Sequence, residues 1–326
     1  MNDEIIVSVS CLVYNHEKYL RKCLEGFVTQ KTNFKFEVIV HDDASTDNSA
    51  AIIKEYEEKY PDIIKPIYQV ENQYSNPNRK IGLLALYIFP VMKGKYVAFC
   101  EGDDYWCDPN KLQRQVDILE NNPDCSLCVH RVEDVYEDGS FANVHHPSKA
   151  FKKGVYSPKE IMDIMKKYMY PFQTSSYMLK LENMIHYRTK YELFYGKFGV
   201  GDIPIILSSI LEGNIYYIDD VLSCYRVGVE GSYNYRMKTD TNKMLVHKQK
   251  MIDAYILYNE YTQNRFESQI NEIIETYQYD IDMINGEYKK YLSKKYKHSF
   301  DKSERMLLFM KAYMPKLLSL YYKVRK

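Results

Sequence analysis

The run Phe-Cys-Glu-Gly-Asp-Asp-Tyr-Trp-Cys-Asp-Pro at 99–109 places four carboxylates, Glu101, Asp103, Asp104 and Asp108, within eight positions, directly after the apolar Tyr96–Cys100. Like charges this close repel and raise one another's pKa unless a cation or polar ligand sits among them. Mg²⁺ and Mn²⁺ favour carboxylate oxygens and usually take one or two from the protein, leaving their other positions to phosphate and water. Glu101, Asp103 and Asp104 therefore suit a divalent cation holding a diphosphate. Asp108, followed by Pro109, suits the cap of a helix with proline at its first position. A second polar cluster, His-Asp-Asp-Ala-Ser-Thr-Asp-Asn-Ser at 41–49, carries the adjacent Asp42 and Asp43. These either accept hydrogen bonds from a nucleobase or ribose, or serve as caps and Asx turns. Neither G-x-G-x-x-G nor G-x-x-x-x-G-K-[ST] occurs. That argues against dinucleotide oxidoreductases and P-loop kinases, and fits a protein that neutralises phosphate with a metal instead of backbone amides.

The elements that must position these groups are legible in the pattern. Ile5–Val13 is a β-branched run of strand length that ends at Tyr14-Asn15-His16, before a helical pattern of Tyr19, Leu20, Cys23, Leu24 and Phe27. Phe36–Val40 is a second strand that breaks at 41–49 and leads into a helix over Ala50–Tyr60, with Asp47, Asn48 or Ser49 as its N-cap. A strand at Ile64–Val70, the apolar segment Leu83–Met92, a strand at Lys95–Cys100 and a helix at Lys111–Leu119 follow. Strands alternating with helices predict a mostly parallel α/β sheet, in which ligands bind at the carboxyl ends of the strands. Tyr14-Asn15, Asp42-Asp43 and Glu101–Asp104 should thus converge on one rim. Beyond them, Cys125–Val132 reads as a strand and Glu133–His145 as a hairpin turning at Asp138-Gly139. Ile203–Leu211 reads as a short helix ended by Gly213, and strands disappear after about Asn234.

Three segments in order resemble the inverting glycosyltransferases of family 2, whose fold is GT-A. They are Leu12-Val13-Tyr14-Asn15-His16, then Val40-His41-Asp42-Asp43-Ala44-Ser45-Thr46-Asp47, then Gly94–Trp106 with its Glu101-Gly102-Asp103-Asp104. The likeness covers roughly residues 5–230. It implies that Asp43 binds the base of a nucleotide-sugar, with Tyr14, Asn15 and Asp42 in the same pocket. Asp103 and Asp104 would hold ribose, diphosphate and Mn²⁺ or Mg²⁺. Glu101 stands where the family's D-x-D has its first aspartate, keeping the charge on a longer arm. The family's general base, which deprotonates the acceptor hydroxyl, corresponds to Asp202 in Gly201-Asp202-Ile203-Pro204, where aspartate also serves as a helix cap. Cys224-Tyr225-Arg226 looks like the family's Y-R-x-H element, with Gly228 in place of the histidine. Arg226 then becomes a phosphate neighbour, or else a surface ion pair. Phe172–Tyr177 falls on the acceptor side by the same analogy.

The 326 residues suffice for a catalytic domain over 1–232 and a helical, basic extension over 233–326. Forty-four basic and 44 acidic side chains cancel overall, leaving no field of the kind that attracts nucleic acid. From Gly286 to Lys326, however, 12 Lys and Arg stand against three acids. Phe266, Ile270, Ile273, Ile274, Tyr277, Ile281 and Ile284 predict an amphipathic helix over 265–284, packed on the catalytic domain or on another subunit of a homo-oligomer. The last segment mixes Met306–Met310, Leu317-Leu318 and Leu320–Tyr322 with lysines and arginines, as suits either an anionic membrane surface or a helix with solvated lysines. Seven cysteines, an odd number, read as reduced and cytoplasmic, and Cys125-Ser-Leu-Cys128 has no second pair to complete a zinc site. No signal peptide opens the chain, and the longest apolar run, Ile81–Met92, falls short of the roughly 20 residues a bilayer requires.

The expectation is a metal-dependent inverting transferase. It would move a sugar from a nucleotide diphosphate donor to a hydroxyl of a surface polysaccharide or lipid-linked oligosaccharide, in the cytoplasm or on the inner face of a bacterial plasma membrane. Another metal-dependent nucleotide-processing enzyme would use the same rim without an acceptor base. The Glu101 and Gly228 departures also admit a non-catalytic membrane-associated scaffold.

Overall fold

In the computed structural model, residues 4–76, 78, 82–149, 151–229, 237, 239–293, 296, 300–315 and 317 are described. The β-branched stretch Ile5–Val13 forms β1, followed by α1 (Glu17–Val28), β2 (Lys35–Asp42), α2 (Ser49–Lys59) and β3 (Ile64–Tyr68). After a π turn at Leu84–Ile88 come β4 (Tyr96–Phe99), the two-residue β5 (Tyr105–Trp106), α3 (Lys111–Asn121), β6 (Cys125–Val135), β7 (Phe141–His146) and β8 (Gly154–Tyr156). The chain continues through α4 (Pro158–Tyr168), β9 (Met178–Lys180), α5 (Leu181–Lys190), α6 (Glu192–Tyr195), α7 (Asp202–Glu212) and β10 (Asn214–Arg226). Helices α8 (Thr241–Tyr261), α9 (Glu267–Asn285), α10 (Tyr288–Tyr291) and α11 (Lys302–Tyr313) complete it.

The sheet runs β3-β2-β1-β4-β9-β6-β10-β5, with β7 on β6 and β8 on β10. Its first half, β3 to β4, is parallel as the alternating pattern requires. Antiparallel pairing enters where β9 is inserted between β4 and β6, and again where β5 folds back on β10. The inserted β9 is three residues long and β5 only two. Strands so short carry no alternation of their own, which is why periodicity passed over them.

Alternation in β4 shows how the sheet is covered. Tyr96 and Ala98 face the core formed with Leu24 and Phe27 of α1, Ile53 of α2 and Leu112 of α3. Val97 and Phe99 face the opposite core, with Ile161 of α4, Ile206 and Leu207 of α7, Tyr255 and Tyr258 of α8 and Ile270 and Tyr277 of α9. The amphipathic pattern expected over 265–284 is therefore α9, and its apolar face joins the same core as α7. Glycine is required where β4 begins: a Cβ on Gly94 would lie 2.4 Å from the Ser8 nitrogen of β1.

One local expectation is corrected. Asp108 and Pro109 do not cap α3, which starts at Lys111 with Asn110 at its N-cap position. The Asp108 carboxylate instead accepts from the Asn110 backbone amide at 2.7 Å and pairs with Arg114 at 3.1 Å, forming an Asx turn ahead of the helix. In the tail, α11 begins with a reciprocal capping box between Asp301 and Glu304, while residues 316 and 318–326 of the basic segment lie outside the described residues. No helix among the described residues is long and apolar enough to cross a membrane.

Candidate active site

Parallel register brings the strand ends together. Val13 at the end of β1 pairs with Asp42 at the end of β2, and Ser10 pairs with Phe99 at the end of β4. Pairing continues past β4, as Cys100 donates to the Ser10 carbonyl at 3.1 Å and Gly102 to the Leu12 carbonyl at 2.9 Å. The expected rim therefore exists, with Tyr14-Asn15, Asp42-Asp43 and Glu101–Asp104 along one edge. Gly102 explains its own place in the motif: a Cβ there would lie 2.8 Å from Nδ1 of His16 and 2.9 Å from Val13. Only glycine lets the acidic turn close over the end of β1.

The turns after β1 and β2 are stitched to each other. Asn15, at φ 57°, accepts the Thr46 amide on its side-chain oxygen at 2.7 Å, and its own amide donates to the Ser45 hydroxyl at 2.9 Å. The His16 amide donates to the Ser49 hydroxyl and the Glu17 amide to the Asp47 carboxylate, both at 2.9 Å. Asp47 thus satisfies a free amide at the start of α1, roughly thirty positions upstream, while Glu17 returns the favour by accepting the Asn48 amide. Asp42, 3% exposed, accepts from the Ser45 hydroxyl and amide. Its carboxylate holds the turn, and Asn15 does the same from the other side. Tyr14 projects from this junction and is exposed.

Asp43 is equally buried, and its two oxygens accept the amides of Gln73 and Tyr74, each at 2.8 Å. An ionised carboxylate has about four acceptor positions. The loop at 73–74 leaves acceptor capacity on Asp43 for an imide or amine of a nucleobase, which would share the carboxylate with that loop.

The acidic turn itself is held by Arg226. Its backbone amide donates to Asp104 at 2.8 Å, its Nε to the Asp103 carbonyl at 2.9 Å, and one terminal nitrogen to the carbonyls of Tyr136 and Glu137, each at 3.1 Å. The guanidinium lies 4.6 Å from the Tyr19 ring centre. Arg226 is 5% exposed, so it is not a surface ion pair. It fixes Asp103 and Asp104 by chain geometry and adds positive charge behind them. Gly228, two residues on, has φ +81° with open space around it, a backbone state that strains the histidine the family places there.

The carboxylates differ in their surroundings. Asp104 is buried, and lost hydration, with Asp103 adding negative charge, pushes its carboxyl well above the usual range against the pull of the Arg226 amide. Glu101 as a residue is exposed at the acidic turn, while its carboxyl end is packed about by protein. Lost hydration there, with the charges of Asp103 and Asp202, pushes its carboxyl up to about 7. The charge of Asp202, the first residue of α7, is thus felt at the acidic turn. Asp202 is not the N-cap of α7: Gly201 holds that position, and the Asp202 carboxylate accepts the adjacent Ile203 amide at 2.8 Å. Its own carboxyl is raised by burial, with the amide contacts opposing. A raised pKa makes the ionised form a stronger base.

The donor set fits a divalent cation of the kind that relies on its ligand. Among the described residues no three His, Cys, Asp or Glu side chains stand close enough to cage an ion. Glu101 is exposed and Asp103 partly so, and Asp104 keeps one oxygen beyond the one that accepts the Arg226 amide. An ion here would take one or two protein oxygens, relieve the repulsion that raises Glu101, and draw its remaining ligands from diphosphate and water. Pattern reading missed the stitching role of Asp47 and Ser49 and the tyrosines around Asp202. The capping signal of 45–49 was visible, but its partner, α1, is near only in the folded chain.

A family model described as "Glycosyl transferase family 2" matches residues 8–184. The uncharacterized protein Rv1520 of Mycobacterium tuberculosis is 46% identical over 135 residues, covering 41% of this chain and 36% of that protein. The match thus spans little more than a third of that curated relative's length. Among solved structures, S. aureus TarS 1-349 in complex with UDP-GlcNAc aligns with a TM-score of 0.54 at 16% identity, over 81% of this chain and 73% of that one. The mannosyltransferase PcManGT from Pyrobaculum calidifontis, in complex with GDP-Man and Mn²⁺, aligns with a TM-score of 0.56 at 15% identity, over 96% and 85%. At these identities the structural likeness shows the fold.

The electrostatics of the acidic turn yield a stability prediction. Glu101 ionises near 7 in the folded chain, above its ordinary 4.5, so the unfolded chain loses that proton first and stability falls as pH rises between the two values. The Glu101→Gln variant lacks this loss. Its melting temperature should gain on the wild type between pH 5 and pH 8 in thermal denaturation without metal, and an unchanged difference would refute the assignment.

Proposed function

The chain belongs to glycosyl transferase family 2 and is a transferase, and from that premise we propose that it is a metal-assisted inverting enzyme using a nucleotide diphosphate sugar. The observation that carries this reading is the convergence of the ends of β1, β2 and β4, whose parallel register brings Tyr14-Asn15, Asp42-Asp43 and Glu101–Asp104 to one rim; Asp202 is the separate carboxylate proposed for the acceptor side. Mn²⁺ or Mg²⁺, when bound, neutralises the charge that builds on the departing diphosphate. Asp43, Asp42, Asn15 and Tyr14 surround the nucleoside end. Arg226 holds the acidic turn from behind.

The reaction follows from this placement. The acceptor hydroxyl oxygen attacks the anomeric carbon from the face opposite the diphosphate, the bond from that carbon to the diphosphate oxygen breaks, and its electron pair leaves with the diphosphate. The attacking hydroxyl gives its proton to Asp202. Burial raises the basicity of Asp202 against the backbone amides of Ile203 and of Asp202 itself. The two structural neighbours carry different donors, UDP-GlcNAc in one and GDP-Man in the other, so the likeness supports a nucleotide-sugar and leaves the base to experiment.

The acceptor is proposed to be a surface polysaccharide or lipid-linked oligosaccharide, met at a membrane surface. Helix α11 supports this: Met306, Phe309 and Tyr313 recur at helical spacing and are 66%, 48% and 56% exposed, beside Lys302, Arg305 and Lys311. An apolar stripe flanked by cations is the arrangement that lies on anionic lipid.

Three outcomes test this reading. A ligand that binds only the folded chain raises its stability, so one of UDP, GDP, dTDP or CDP should raise the melting temperature with Mn²⁺ and much less without it; no response to any of them would sink the donor assignment. Asp202→Asn should lower kcat by about 10²–10⁴ with donor binding intact, and near-native transfer would remove Asp202 as the base. Met306→Glu with Phe309→Glu should abolish co-sedimentation with phosphatidylserine-containing vesicles, and equal pelleting of variant and wild type would refute membrane contact through α11.

A further inference from the structure

Lys111, the first residue of α3, is 0% exposed. Among the described residues no carboxylate pairs with it. Instead Nζ donates to the Gln115 side-chain oxygen at 2.6 Å and lies 4.1 Å from the centre of the Trp106 ring. Burial pushes the group down to about 7, the direction expected of a cation taken out of water without a counter-charge. A buried cation of this kind is costly to keep, and the reaction described above gives it no task.

Both of its contacts lead to the site. Trp106 ends β5, two residues after Asp104, and is wedged against α1. Its ring meets Phe27 edge-on at 4.8 Å, and a Cβ on Gly26 would lie 2.8 Å from its carbonyl oxygen. Gln115 leads the other way, as its Nε2 donates to the Ser176 carbonyl at 2.8 Å and to the Cys128 carbonyl at 3.3 Å. Carbonyls only accept, so the amide has one orientation, with its oxygen towards Lys111. Ser176 ends the short turn Thr174–Ser176 that precedes β9. Because β9 runs antiparallel to β4 with Met178 opposite Ala98, that turn lies past the carboxyl end of β4, alongside the start of the acidic turn. The contacts close on themselves: Trp106 pairs with Ser223 of β10, and the Ser223 hydroxyl meets that of Ser175 at 2.9 Å. Every member of this circuit is buried, where hydrogen bonds are stronger than in water.

We propose that Lys111 is a positioning residue for sugar transfer: through Trp106 and Gln115 it fixes the acidic turn relative to the Thr174–Ser176 turn, and so the geometry in which diphosphate and acceptor meet. The inference rests on the reading that the diphosphate side of the reaction lies at the acidic turn. Lys111 acts through its two neighbours and not on substrate. Its long arm and several donors let one side chain reach an indole face and an amide oxygen at once. A transfer between two bound partners depends on holding them in place to within a fraction of an ångström, which is what such a brace supplies.

Two variants cut the circuit on different sides. Lys111→Met keeps the volume and loses both contacts, whereas Gln115→Glu keeps an acceptor for Lys111 and loses the donor to Ser176. Turnover is read as nucleoside diphosphate released from whichever of UDP-GlcNAc and GDP-mannose the wild type uses with Mn²⁺, at a temperature where thermal melts show each protein folded. Trp106 is the one tryptophan of the chain, so acrylamide quenching of its fluorescence reports the wedge directly. The proposal requires both variants to lose about tenfold or more in kcat with donor KM within about twofold of the wild type. It also requires quenching to rise in Lys111→Met alone. Near-native kcat in either variant would overturn it. So would a fall in activity that only follows a fall in folded protein, by showing a packing role, or a raised donor KM at native kcat, by placing Lys111 in donor binding. A wild type that turns over neither donor would count against the reaction itself and remove this role with it, whereas an active wild type with unaffected variants removes the role alone.

Discussion

Burial of one arginine among main-chain carbonyls organises the chemistry of this protein. Arg226 ends β10, and through its amide and guanidinium it ties that strand to Asp103 and Asp104 on the acidic turn and to Tyr136 and Glu137 on the hairpin between β6 and β7. A buried guanidinium carries a heavy desolvation cost unless its donors are met. Here carbonyls satisfy several donors, the Tyr19 ring packs against the plane, and the charge remains available to the acidic turn. The arrangement holds Asp103 and Asp104 in place with a cation behind them.

The same economy appears at the other strand ends. Residues that look like ligands by type spend oxygens on structure: Asp47 and Asn15 accept backbone amides of the neighbouring turn and so hold two parallel strand ends together, while Asp42 holds Ser45 of its own turn. Rigidity in the first turn gives Asp43 a fixed position, and the loop at 73–74 closes on it. Binding groups set on strand ends and braced by such contacts are positioned within narrow limits, which is what a transfer reaction needs from them.

The helical extension belongs to this account as well. Helices α8 and α9 bury Met251, Tyr255, Ile270 and Tyr277 in the core that also holds Ile206 and Leu207 of α7. The helix that begins with Asp202 is therefore backed by residues from beyond position 240, and the surroundings of the proposed base are set by segments distant in sequence. Raised basicity at Asp202 is a consequence of that packing.

Much of this was legible beforehand, for identifiable reasons. Composition and β-branched runs determined the strand-helix alternation, and the rule that ligands gather at strand carboxyl ends brought Tyr14, Asp43 and Glu101–Asp104 to one rim, because parallel register follows from right-handed crossovers. The motif order alone pointed to the family. Tertiary structure decided the rest. It placed β5 and β9, too short for periodicity to register, and it shared Asp47 between the start of α1 and the Ser49 amide of its own helix. It made Arg226 a buried brace of the acidic turn, and backed the helix of Asp202 with residues from beyond position 240. Each of these depends on contacts between residues tens to more than a hundred positions apart. Local propensity encodes which elements form, whereas the pairing of those elements, and so the protonation and partners of each carboxylate, is settled only when the sheet closes and water is excluded.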